Sequence, residues 1–402
     1  MPGVQGRRDA APASLRRIGE GIRFSALPPL SLYVHVPWCL RKCPYCDFNS
    51  HESREPIPET RYVDALIADL ESVVPEVYGR RVETVFFGGG TPSLFSAESF
   101  DRFLSATRAL LGLEPDAEIT LEANPGTFEQ AKFQAFRELG INRLSIGIQS
   151  FQDRFLTSLG RVHDSEEAGR AVGIARRFFD NINLDLMYAL PGQSVEEALA
   201  DIHQAMAAGV AHISAYHLTL EPNTYFARFP PPLPDDDTAA DMQERIENAL
   251  GQAGYDHYET SAFALPGRRA RHNLNYWSFG DYVGVGAGAH GKISFRDNIE
   301  RQTRAKHPRD YMERALQGRA TDSRREVTPG EVPFEFMMNA LRLNGGFPLS
   351  LFEARTGLDS AVVLPTLNRA EEDGYLERDL RDVRPTMRGR RFLNDLLQRF
   401  LD

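Results

Sequence analysis

Cysteine is nearly missing from this chain. Only three occur in 402 residues, all between positions 39 and 46, so there is no disulfide framework of the secreted kind, and an odd, crowded set suits a reducing compartment. Positive charge is in deficit: 46 lysines and arginines face 56 aspartates and glutamates, a formal net charge of −10, which argues against broad nucleic-acid binding by counterion release. No stretch approaches the roughly 20 apolar residues that span a bilayer. The first residues lack the apolar core of a secretory signal, and they mix Arg7, Arg8, Arg16 and Arg17 with Asp9 and Glu20, whereas transit peptides are poor in acids. Residues 1–30 are therefore expected to form a flexible extension, and the protein is expected to be cytoplasmic. There is no internal repeat of fixed period and no low-complexity tract beyond the proline and aspartate run at 230–237.

What is present is a regular alternation. Short β-rich runs at 32–36, 82–87, 118–122, 143–147, 182–186 and 212–218 are separated by helical patterns at 57–74, 96–111, 127–139, 165–179 and 195–208. That order signifies parallel strands joined by crossover helices, and six units make a partial TIM-type (β/α)6 barrel. The prolines at 230–234 cannot continue a helix and lead into one more, at 238–253. Beyond Ser294 the pattern turns to helices at 333–342, 350–355 and 362–373 and two short strands at 375–378 and 383–385, the order of a winged helix. The expected domains are the extension 1–30, an α/β core with its connection over 31–294, and a small, mainly helical C-terminal domain over 295–402. Arg388, Arg390 and Arg391 in that last domain raise a DNA-binding alternative; a cover over the barrel is the favoured reading.

Cys39, Cys43 and Cys46 place three thiolates at a spacing that curls around a soft-metal centre, and three ligands leave one iron of an iron–sulfur cube unclaimed. Structural zinc is the alternative, with His35 or His51 as fourth ligand. In parallel barrels chemistry gathers at the C-terminal strand ends, and polar motifs sit at each of them here. Gly88, Gly89, Gly90 and Thr91 follow the second strand, where glycine allows close backbone approach or simply makes a turn. Glu122 and Asp185 interrupt apolar strands, where a carboxylate needs ribose hydroxyls or a neighbouring arginine to offset its desolvation. Gln149 ends the fourth strand, and Arg161 offers a planar fork suited to a carboxylate.

The aromatic residues Tyr33 and Tyr45 complete a segment, 33–47, that resembles the signature of radical S-adenosylmethionine (SAM) enzymes. The resemblance implies a 4Fe-4S cluster on Cys39, Cys43 and Cys46, whose free iron is chelated by SAM. It also implies a SAM site lined by Tyr33, Tyr45, Gly89, Gly90, Thr91, Glu122, Gln149, Arg161, Asp185 and Thr219, with the glycine loop facing the SAM amino group. Segments 46–50, 122–125, 217–224 and 272–277 are similar to the haem-chaperone branch of that family, a sister group of the oxygen-independent coproporphyrinogen III dehydrogenases. Two departures separate the chain from the dehydrogenases: Phe48 stands where they carry a fourth cysteine, and their longer segment before the cluster motif is missing. Membership of the chaperone branch implies haem as a third cofactor, held by His272, Asn273, Tyr276 and Trp277, with His290 as a second candidate ligand. The partners so implied are acceptor haemoproteins, a class that includes membrane-associated respiratory proteins, and an electron donor for the cluster, with a homodimer left open. The alternatives are oxidative decarboxylation of coproporphyrinogen III, and a winged-helix DNA-binding protein with a structural metal site.

Overall fold

A computed structural model describes residues 21–127 and 129–401. Six parallel strands, β1 (Leu30–Val36), β2 (Val82–Gly89), β3 (Leu113–Ala123), β4 (Arg143–Gln149), β5 (Ile182–Tyr188) and β6 (His212–His217), lie side by side in chain order. The sheet also contains β7 (Asp256–Glu259), β8 (Ala262–Ala264), β9 (Asp281–Val285), β10 (His290–Ser294), β11 (Ile299–Arg304) and β12 (Thr321–Glu326). Its full order is β12-β11-β10-β9-β1-β2-β3-β4-β5-β6-β8-β7. The expected six-unit barrel is therefore present and extended at both edges. On one side β9 pairs in parallel with β1 and begins an antiparallel meander; on the other β8 and β7 pair antiparallel after β6.

Crossover helices cover the sheet: α1 (Glu59–Val73), α2 (Ala97–Leu110), α3 (Gln130–Glu138), α4 (Ser165–Phe178), α5 (Val195–Ala207) and α6 (Asp236–Gln252). Their limits follow local chemistry. Asp164 and Ser194 open α4 and α5 with reciprocal capping boxes to Glu167 and Glu197, which satisfy backbone donors that a helix start leaves free. The aspartate run after the prolines does the same for α6: Asp235 accepts from the Thr238 amide at 2.8 Å, so the helix starts two residues earlier than expected. Helix faces carrying Leu66, Leu70, Phe100, Phe103, Phe133 and Phe136 pack in one core with Val34, Phe87, Leu121, Ile146 and Leu184 of the strands.

Two expectations fail here. Residues 299–326, read as the start of a helical domain, form β11, the helix α8 (Pro308–Ala315) and β12, and Tyr311 and Met312 of that helix belong to the barrel core. The polar alternation of this meander hid it, because its strands are sheet-edge elements with little apolar surface. A second core, rich in residues from Val327 onward, marks the real change of body. Flexibility of residues 1–20 lies outside the described residues, but Ile22 and Phe24 are buried in that second core, and the Arg23 and Phe24 amides bond Gly357 O and Arg296 O.

The C-terminal body has the expected winged-helix order. Helix α9 (Val332–Ala340) is followed by a short strand, Phe347–Pro348, then by α10 (Leu349–Thr356) and α11 (Leu364–Glu372) and by strands Leu376–Arg378 and Asp382–Pro385, with Asp382–Pro385 in the middle of the three-stranded sheet. Its basic residues are drawn into the protein: Arg391 pairs with Glu247 of α6 at 3.4 Å, and Arg388 stacks over Tyr375 and donates to Asp373 O.

Candidate functional site

The cysteine loop leaves β1 and folds back on the strand ends. Trp38 and Cys39 pair with His51 and Glu52 in a two-residue parallel ladder, which closes the loop. Two glycines are forced by this packing. At Gly89, φ is +113° and a Cβ would lie 2.5 Å from the His35 ring; at Gly160, φ is +67° and a Cβ would lie 2.9 Å from Pro44 of the loop. Neither position tolerates a side chain. The amides of the glycine segment are used internally, Gly89 on Glu122 Oε2 at 3.1 Å and Gly90 and Thr91 on Val36 O and Trp38 O. Carbonyl oxygens are what it can offer a ligand.

A cavity of about 620 Å³ opens above these strand ends. It is lined by Cys39, Cys43 and Cys46 together with Tyr45, Gly89, Gly90, Thr91, Glu122, Gln149, Arg161, Asp185 and Thr219. Every expected cluster and SAM residue except Tyr33 therefore converges on one space. The three thiols are free and half-buried. Burial pushes Cys39 and Cys46 above the ordinary thiol range, while hydroxyls of Thr91 and Ser50 pull the other way. Arg161 donates from Nη1 to Cys43 Sγ at 3.6 Å and from Nη2 to Gly147 O at 2.8 Å, which fixes its fork beside the thiols. Zinc is poorly served. Of the two candidate fourth ligands, His35 has both ring nitrogens engaged, with Tyr33 Oη and Asn49 O, and His51 has a buried Nε2 without a hydrogen-bond partner among the described residues; among these residues no three His, Cys, Asp or Glu are grouped to hold a single metal ion.

The two strand carboxylates face the same cavity, and Asp185 acts on Glu122. Burial raises Glu122 to about 8, and Asp185 adds to the effect; Asp185 is itself raised by burial, against hydrogen bonds from Ser145 and Asn183 at 2.9 and 2.8 Å. Among the described residues neither carboxylate is in an ion pair, so the salt-bridge alternative is not what the fold built. Gln149 adopts φ 69° beyond a bulge in the β4–β5 register, turning its amide toward the same space. Sequence reading missed Ser145 and Asn183, which orient Asp185 and whose signal was only polarity within apolar strands.

A second cavity, about 860 Å³, adjoins the first and shares Phe48, Gly89 and Glu122 with it. Tyr33, Tyr276, Trp277 and His290 line it, so Tyr33 belongs on this side of the wall. The helix α7 (Arg271–Trp277) supplies its aromatic face. His272 and Asn273 are not among the lining residues, and His272 is corrected as a haem ligand: it is 1% exposed, with Nδ1 on Thr84 Oγ1 at 2.7 Å and Nε2 on Tyr276 Oη at 2.9 Å. Burial lowers its pKa to about 3, as expected of a neutral packing histidine. His290, at the start of β10, is exposed toward the cavity, and partial burial holds its pKa below the usual value. Arg301, Arg325 and Tyr282 also line this space and carried no motif signal.

Comparison with known proteins agrees with this geometry. Residues 33–205 match the Radical SAM superfamily, and residues 327–392 match the HemN C-terminal domain, starting where the second core begins. "Heme chaperone HemW" of Escherichia coli (strain K12) is 50% identical over 93% of this chain and 99% of its own length. The protein of the same name from Haemophilus influenzae is 46% identical over 93% and 98%. The solved structure of coproporphyrinogen III oxidase (HemN) from Escherichia coli, a radical SAM enzyme, superposes with a TM-score of 0.79 over 93% of this chain and 90% of that one. At 24% identity that likeness speaks for the fold alone.

Proposed function

The chain belongs to the HemW haem chaperones of the radical SAM superfamily, and on that premise we propose that its two adjoining cavities divide the work of cofactor and cargo. In the smaller one, Cys39, Cys43 and Cys46 would hold a 4Fe-4S cluster. The donor set fits: three soft thiols on one loop, no further cysteine in the chain, and a guanidinium, Arg161, within hydrogen-bond reach of Cys43 Sγ. When bound, the cluster supplies a redox-active centre with one iron open to an external ligand.

SAM fits the remainder of the same space. Glu122 and Asp185 are part-buried acceptors that, among the described residues, form no ion pair, although Arg143 acts on Asp185 from a distance, so ribose hydroxyls or an ammonium group would offset their desolvation. The carbonyls of the glycine segment suit an amino group, Arg161 suits a carboxylate, and Tyr45, Gln149 and Thr219 complete the lining. Haem fits the larger cavity, where Tyr33, Tyr276 and Trp277 cover an apolar face and His290 offers a neutral imidazole to iron. Asn273 and His272 act in the helix behind it. The protein then carries haem in the cytoplasm to acceptor haemoproteins, with a separate electron donor serving the cluster.

The observation that carries this reading is the shared wall: Phe48, Gly89 and Glu122 face both the thiol cavity and the aromatic one. Its test is anaerobic reconstitution followed by haem titration of the Soret band. One haem per chain, weakened in His290→Ala, is expected; a Soret band that never saturates stoichiometrically removes the chaperone reading.

A further inference from the structure

The wall of the aromatic cavity also carries charge. Arg301 of β11 and Arg325 of β12 are direct cross-strand partners, an arrangement of like charges that is unfavourable unless an anion lies between them. In the ligand-free chain Glu335 of α9 is that anion. Its Oε2 accepts from Arg301 Nε and Nη2 at 3.0 and 2.7 Å, and its Oε1 accepts from Arg325 Nη2 at 3.1 Å. Arg301 Nη1 donates to Tyr282 Oη at 2.8 Å, and Arg325 Nη1 to Glu331 at 3.0 Å.

The balance of charge within the cavity favours an anionic ligand. Arg301, Arg325 and Glu335 all line it, whereas Glu331 does not, so two guanidinium groups face the space against one carboxylate there. The third basic residue in the wall, Lys292, is buried and matched by Asp281 at 2.9 Å. Glu122, on the far wall, is separate from this pair: its carboxyl is engaged by the Gly89 amide at 3.1 Å. Arg325 has a side chain 53% exposed, free to turn from glutamate to ligand, while Arg301 is held firmly by three bonds. Around them stand Tyr276, Trp277, Tyr282 and Met338. A flat apolar surface next to two planar forks suits a flat apolar ligand with carboxylates on its edge.

We propose that Arg301 and Arg325 form a carboxylate-recognition subsite that anchors the propionate groups of haem, with Glu335 holding the pair in place until the ligand arrives. The subsite rests on the assignment of haem to this cavity. It also gives the C-terminal body a role at the site, because α9 brings Glu335 and Met338 to the cavity from outside the barrel.

The experiment titrates the full chain with iron protoporphyrin IX and, separately, with its dimethyl ester, following the Soret band and the quenching of tryptophan, of which the chain has two. The free acid is expected to bind about tenfold more tightly than the ester, as one charge-assisted anchor would give. That preference is expected to fall toward unity in Arg325→Gln and Arg301→Gln and to be largely restored in Arg325→Lys. Thermal melts check folding, and if Arg301→Gln is unstable the half-exposed Arg325 carries the test. Equal affinity of acid and ester for the native chain overturns the subsite while leaving haem binding intact. A preference that survives both glutamine variants overturns it as well. Binding of neither compound removes the haem assignment, and the subsite with it.

Discussion

Glu122 lies at the junction of both cavities, and its protonation is the most accessible physical consequence of that position. Its carboxyl is raised from an ordinary 4.5 to about 8, first by burial and then by Asp185, so the folded chain binds that proton more tightly than the unfolded chain does. Stability from this group is fully present below about pH 4.5 and drains as pH rises toward 8, by at most about 1.4 kcal/mol per pH unit, less where cavity water screens it. Glu122→Gln keeps an acceptor for the Gly89 amide and removes the titration. The variant is expected to gain in melting temperature relative to the parent between pH 5 and pH 8; a constant difference across that range would refute the assignment. At this scale the sequence was informative where chemistry was rare. Three clustered thiols and two acids in apolar strands stand out by themselves. Arg301 and Arg325 do not, because their meaning comes from a cross-strand pairing and a shared glutamate, and arginine is common along the chain.

The helix α7 shows how an element redistributes the roles within a motif. Residues 272–277 read as one haem-binding segment, yet the turn sends Tyr276 and Trp277 to the cavity and His272 inward, where it joins Thr84 of β2 to the Tyr276 hydroxyl. Deleting that imidazole leaves a void and removes the only bridge from Thr84 to the Tyr276 hydroxyl among the described residues, so His272→Ala is expected to cost about 2–4 kcal/mol, measured by chemical denaturation. His290→Ala, at an exposed strand end, is expected to change stability by no more than about 0.5 kcal/mol while weakening haem binding. A His272→Ala chain as stable as its parent but unable to bind haem would return His272 to the ligand role. The strand and helix positions themselves were legible, since period and capping residues are local signals. The β10–β12 meander and the bulge at Gln149 were not, because pairing with distant strands defines them.

For the molecule as a whole, the second core is not a module on a tether. Besides α9 to α11 it contains Ile22 and Phe24 from the N-terminal side, Phe279 from the turn between α7 and β9, and Ile299 of β11. Ion pairs Arg391–Glu247, Arg342–Glu259 and Arg301–Glu335 cross between the two bodies. Unfolding is therefore expected to be one cooperative transition in calorimetry, and a chain ended after Glu326 is expected to aggregate, having exposed those four apolar residues. Two resolved transitions would show that the bodies fold independently. Of the basic C-terminal residues, Arg391 is engaged across the two bodies by Glu247 and Arg388 within its own by Tyr375 and Asp373 O, which favours the cover over the DNA-binding alternative.

Sequence alone determined the sulfur triplet, the six β/α units, the winged-helix order and a set of cluster and SAM residues of which all but Tyr33 line the smaller cavity. These follow from spacing, periodicity and strand-end position, which are properties of neighbouring residues. Tertiary structure decided the rest: that Tyr33 lines the larger cavity, that His272 packs while His290 faces outward, that the barrel sheet runs to Glu326, and that two arginines share one carboxylate. Each depends on groups distant along the chain, as in the contact between Thr84 and His272 across 188 positions. Only the packed sheet brings such groups together, and burial then determines which of their polar atoms remain free for a ligand.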